Sequence, residues 1–83
     1  MRYRVILHDN SKVWHTEYHV AHMLAEEFHW VWSRCIDVIR RNYDEATESV
    51  RLIDTDRETA EYYVNKINGL KCNWYNASME VIR

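Results

Sequence analysis

The sequence predicts an α+β domain of β-α-α-β-α-β order, a three-stranded antiparallel sheet with three helices packed on one face. Three observations carry this. Both ends of the chain alternate apolar and polar residues, a third short strand-like run lies at Ser49 to Ile53, and the intervening segments repeat with helical spacing. With 83 residues there is one domain, spanning 1–83. A hydrophobic share of 47% against a charged share of 29% excludes a disordered tail. No apolar run is longer than that of Val5 to Leu7, which excludes a membrane-spanning helix.

The first strand is Arg2 to Leu7, with Tyr3, Val5 and Leu7 on one face and Arg2, Arg4 and Ile6 on the other. His8-Asp9-Asn10-Ser11 supplies turn formers. From about His15 to His29 the spacing is helical, with Val20, Leu24, Phe28 and Val31 on one side, flanked by Ala21. A second stripe holds Trp32, Cys35, Ile36, Ile39 and Tyr43, with Ser33 as its N-cap. Asn42 to Thr47 is polar and reads as a loop. Thr55-Asp56-Arg57-Glu58 reads as a capping box opening a third helix, which turns Ala60, Tyr63, Val64 and Ile67 inward and ends on Gly69 as a left-handed cap. Trp74 to Ile82 closes the sheet, with Tyr75, Ala77, Met79 and Val81 on one face.

A formal net charge of −2 speaks against a nucleic-acid binder, which carries a clustered basic excess. Protonating all five histidines takes that charge to +3. Cys35 and Cys72 form no CxxC pair and read as reduced thiols of a cytoplasmic protein, since MRYRVIL is too short and too alternating for an export signal. Neither cysteine has a local catalytic signature, and Glu26-Glu27 and Asp44-Glu45 are adjacent solvated pairs, so no enzyme is indicated and no cofactor is expected.

His15, His19, His22, Glu26 and His29 step by 4, 3, 4 and 3 and share one helical face, opposite Val20, Leu24 and Phe28. His15 with His19, and His22 with Glu26, have the spacing of two-ligand metal grips, but nothing supplies a closed four-ligand set. The face reads first as solvated and second as a pH-sensitive partner surface. Of the four tryptophans the core has room for about two, so Trp14 and Trp30 are candidates for an exposed aromatic patch or for burial under the first loop.

The opening YRVIL with its following Asn/Asp loop, the run from Val20 through Leu24 to Phe28, and the ungapped stretch from Phe28 to Asp54 resemble ClpS, the adaptor that hands N-degron substrates to Clp AAA+ proteases. Glu58-Thr59, Val64-Asn65-Lys66 and Tyr75 to Glu80 extend the likeness over the whole chain, as scattered motifs rather than one signature. The resemblance implies an adaptor that buries an N-terminal Leu, Phe, Tyr or Trp side chain and hydrogen-bonds the free α-ammonium at the pocket mouth. It implies two partners, such peptides and the N-domain of a Clp ATPase.

Carried over by residue, the family's Asn-Asp-Asp mouth falls on Asp9-Asn10-Ser11 in either of two registers, leaving a carboxylate and a carboxamide for the ammonium. The mouth histidine falls on Tyr43, and the pocket walls fall on Val20, Ile39 and Tyr75. Asp56 takes an acidic docking position, and the docking lysine falls on Ala60 or Glu61 according to register. The family's flexible N-terminal extension has no counterpart before the first strand. A ClpS-like protein altered in this way is expected to modulate the host adaptor or compete with it. The alternative is an interaction module of the same fold whose pocket is inactive and whose aromatic or histidine face binds another protein.

Overall fold

The computed structural model describes residues 1–11 and 16–83, the side chain of Thr16 excepted. The elements are β1 (Arg2–Asp9), α1 (Thr16–Phe28), α2 (Trp32–Asn42), β2 (Tyr43–Asp44), β3 (Ser49–Thr55), α3 (Arg57–Gly69) and β4 (Tyr75–Ile82). The α+β class stands, but the sheet has four strands rather than three, in the order β2-β3-β1-β4 with every pairing antiparallel. The added strand is β2, inside the segment read from sequence as loop. Tyr43 pairs with Val50 and Asp44 with Ser49 across a turn at 45–48, in which the Asp44 carboxylate accepts from the Ala46 N–H at 2.9 Å and Glu48 adopts φ 51°. Two residues are too few to display an alternation, so sequence pattern could not reveal the strand.

The inner face of the sheet carries Val5, Leu7, Val50, Leu52, Tyr75 and Ala77, packed into one core with Val20, Ala21 and Leu24 of α1, Cys35 and Ile39 of α2, and Ala60 and Ile67 of α3. A β-bulge shifts the register from Val5↔Ile53 to Ile6↔Arg51, leaving Leu52 as the extra residue and turning its side chain into the core. At the far edge of the sheet, Asn68 of α3 caps one residue of β4. Its amide donates to the Ala77 carbonyl at 2.9 Å and its oxygen accepts from the Ala77 N–H at 2.8 Å.

Several local expectations are corrected. His29 takes φ 59° and ends α1, so Trp30 turns inward and Val31 outward. The helical period of α1 therefore does not run on to Val31, which is exposed. Trp30, for which the sequence left an exposed patch and burial both open, is buried at 7% exposed, donates from Nε1 to the Tyr63 hydroxyl at 3.2 Å, and lies 3.9 Å beneath the Arg34 guanidinium. Trp14, the other half of that patch, lies outside the described residues. The backbone of Val31, not Ser33, caps α2, with no side-chain hydrogen bond. Thr55 is still in β3, paired with Tyr3, so the cap of α3 is Asp56. The Asp56 carboxylate accepts from the Thr59 N–H at 3.3 Å. Gly69 is the last residue of α3 and has no left-handed conformation; Lys71, with φ 54°, makes that turn. Trp32 and Tyr43, read as inward, are 43% and 41% exposed, because they stand at the two ends of α2, where the helix leaves the core. Val81 is exposed too, near the end of edge strand β4.

Candidate functional site

The polar group with the best claim to a ligand stands where β1 ends. Residues paired across an antiparallel sheet share a face, so Asp9, opposite Tyr75 of β4, continues the inner face of Val5 and Leu7 beyond the apolar core. Tyr43 enters the next row, on β2 through Val50 to Leu7. The Tyr43 hydroxyl is raised above the ordinary tyrosine range, first by burial and then by the charges of Asp9, Glu48 and Glu45 and a hydrogen bond to Asp9. Two of the mouth positions implied by the family resemblance therefore meet.

The Asp9 carboxylate is also shaped by its own turn. Its Oδ1 accepts from the Ser11 N–H at 3.0 Å and from the Ser11 hydroxyl at 2.8 Å, while its backbone N–H donates to the Glu48 carbonyl at 2.8 Å. Asn10 goes elsewhere. Its amide donates to the Asn76 oxygen at 2.8 Å and its N–H to the Trp74 carbonyl at 2.8 Å, so its side chain is held by β4.

The wall residues Val20, Ile39 and Tyr75 are all buried in the one core cluster. Burial, followed by contact with Cys72 and the charge of Glu27, pushes the Tyr75 hydroxyl up to about 12. The folded form therefore holds this proton more tightly than an unfolded chain, whose tyrosine titrates near 10. The sign follows: Tyr75 contributes its full stability below pH 10, and the contribution is lost as pH rises from about 10 to about 12. An alkaline absorbance titration is expected to show Tyr75 ionising late among the six tyrosines; six groups titrating together near pH 10 would contradict its burial.

The docking candidates sit on the first turns of α3. Asp56 is exposed and is kept below the usual carboxylate range by its hydrogen bonds to Thr59 and Thr55. Glu61 is paired with Arg57 at 2.9 Å, an i,i+4 bridge on the same helix. Both lie on one end of one helix, which is a shared surface rather than a cavity.

Of the histidine stripe, His15 lies outside the described residues. His19 lies against the Trp74 ring at 4.2 Å, and His22 packs on Tyr18 at 4.4 Å and on Trp32 at 5.0 Å. His22 Nδ1 is 3.8 Å from Glu26 Oε1. Among the described residues no three His, Cys, Asp or Glu side chains converge as a metal would need. The stripe is thus half aromatic in character, a feature sequence reading missed although Tyr18 and His22 are four apart on α1.

A second polar feature escaped sequence reading altogether. On the sheet face away from the helices, Arg4 grips Asp54 with both ends of its fork, at 2.9 Å and 3.2 Å, and reaches Glu80 at 3.9 Å. Such a two-pronged, charge-assisted grip fixes geometry as well as charge. An open groove of about 270 Å³ beside this pair is lined by Arg4, Asn42, Arg51, Leu52, Ile53 and Asp54. Arg4 and Asp54 lie opposite one another in the β1–β3 ladder, and sequence alone did not reveal that register.

These features define a small α+β domain with a polar rim at one end of its sheet. No helix among the described residues is long and apolar enough to cross a membrane. No family model matches the chain, and neither does any curated protein.

Proposed function

We propose that the protein is a ClpS-like binding adaptor that recognises free N-termini beginning with Leu, Phe, Tyr or Trp and docks on the N-domain of a Clp AAA+ ATPase in the cytoplasm, modulating the host adaptor or competing with it. The observation that supports this reading is the meeting of Asp9 and Tyr43 at the open end of the inner sheet face. A carboxylate beside a phenol offers an α-ammonium one charged acceptor and one neutral one. The buried Val20, Ile39 and Tyr75 supply the apolar surface for the side chain, and they must part to admit it. Burying a bulky residue there contributes about 1.5–3 kcal/mol. The ammonium contacts add selectivity, since a blocked terminus brings no positive charge to Asp9. The reading involves binding alone, with no cofactor and no bond made or broken.

Docking is tested by pull-down with an immobilised Clp ATPase N-domain. The wild-type chain is expected to be retained and Asp56→Asn, which removes the charge of the acidic docking position while keeping an N-cap for α3, to be lost. Retention of neither would remove the partner from the proposal.

A second reading has its own observation. Tyr18, His22 and Trp32 interlock as one partly exposed layer, with ring centroids 4.4 to 5.8 Å apart. Aromatic groups of this kind anchor protein interfaces, so the same fold with an inactive pocket would bind a protein through this face. Substituting Trp32 by Ala separates the two readings: it leaves peptide binding unchanged under the first and abolishes partner capture under the second.

A further inference from the structure

We infer that the outer edge of β3 is a docking site for an extended acidic segment of a partner protein, added beside Arg51 as a continuation of the short strand β2. The edge is unfinished. β2 pairs with only Ser49 and Val50 of a seven-residue strand. One step further, Asn42 supplies a side-chain amide where a strand would supply its backbone, donating to the Arg51 carbonyl at 2.9 Å. Beyond that the edge of Leu52, Ile53 and Asp54 opens into the groove of about 270 Å³. On the opposite edge Asn68 occupies both the N–H and the carbonyl of Ala77, whereas here Asn42 takes the carbonyl of Arg51 alone.

Charge selects the occupant. In a chain of net charge −2, Arg2, Arg4 and Arg51 gather around the carboxylate of Asp54, with Glu80 the next acid that Arg4 reaches. Asp54 is taken by Arg4, and Arg2 donates to the Asp54 backbone carbonyl at 2.7 Å. Arg51 is exposed beside the groove and adds its charge to the field that lowers Asp54. A strand added beside β3 places each side chain within about 5 Å of its cross-strand neighbour, so an acidic residue in that register meets Arg51.

The test uses a short peptide of alternating glutamate and valine, acetylated and amidated so that its ends cannot enter the Asp9 mouth. A twin with lysine for glutamate, and inorganic phosphate, are run beside it against isotope-labelled protein. The glutamate peptide is expected to shift the backbone amide resonances of Arg51 to Asp54 and slow their hydrogen exchange, while the lysine twin does neither. Arg51→Glu is expected to weaken binding about tenfold and the milder Arg51→Gln about threefold, in line with an exposed charge pair at the rim of an interface. The Gln variant alone decides the matter should the Glu variant fold poorly. Equal binding of the lysine twin, shifts confined to β4, unchanged affinity of both variants, or phosphate reproducing the shifts without slowed exchange would each overturn the proposal.

Discussion

Leu24→Ala is expected to destabilise the domain by about 3 kcal/mol, within the range of roughly 2–5 for emptying a packed leucine site. Leu24 is fully buried on α1 as a member of the core cluster, so its removal leaves a cavity closed off from solvent. A domain of this size has in total about 4 to about 12 kcal/mol of stability, at roughly 0.05–0.15 per residue. A loss of about 3 kcal/mol then lowers the melting temperature by roughly 12–24 °C. Glu26→Ala, two positions along on the exposed face of the same helix, is the control and is expected to change stability little. Equal melting of the two variants would mean that α1 does not pack on the core as described.

Asp9→Ala is expected to weaken peptides with a free hydrophobic N-terminus by about tenfold to a hundredfold. A hydrogen bond to a charged group is worth about 1.5–3 kcal/mol, and each increment of about 1.4 is a factor of ten. Asn10→Ala is expected to do far less, because the Asn10 amide is held by Asn76 and not by the rim. Tyr43→Phe falls between them, since the ring keeps its place and only the hydroxyl beside Asp9 is lost. The ranking is the informative quantity. If Asn10→Ala were the severe variant, the mouth would lie on the other sheet face, with Asn76, and Asp9 would be only a turn former.

The strands that alternate and the helices that repeat were legible in the sequence, because Val5 and Leu7, or Val20 and Leu24, show their common face through spacing alone. What spacing could not show was set by single backbone angles and by pairing across distance. A left-handed histidine at position 29 exchanged the places of Trp30 and Val31, and nothing in helical propensity announces a positive φ there. Thr55 and Asp56 are both good caps, and only the pairing of Thr55 with Tyr3 decides between them. Of the candidate mouth, the residue types were legible; that Tyr43 leaves its helix and meets Asp9 follows from β2, a strand too short to carry a pattern. The Arg51 groove depends on the bulge at Leu52 and on where β2 stops, neither of which has a composition signal.

The most direct measurement is a fluorescence-anisotropy titration of the wild-type chain with a peptide beginning in Phe and with the same peptide acetylated at its N-terminus. Peptides beginning in Leu, Trp and Arg complete the series. An N-terminal reader built on Asp9 and Tyr43 binds the free Phe, Leu and Trp peptides at micromolar or tighter affinity and loses them on acetylation. Equal affinity for the free and acetylated Phe peptides, or no binding of any of them, would contradict the reading and leave the aromatic layer of Tyr18, His22 and Trp32 as the functional face.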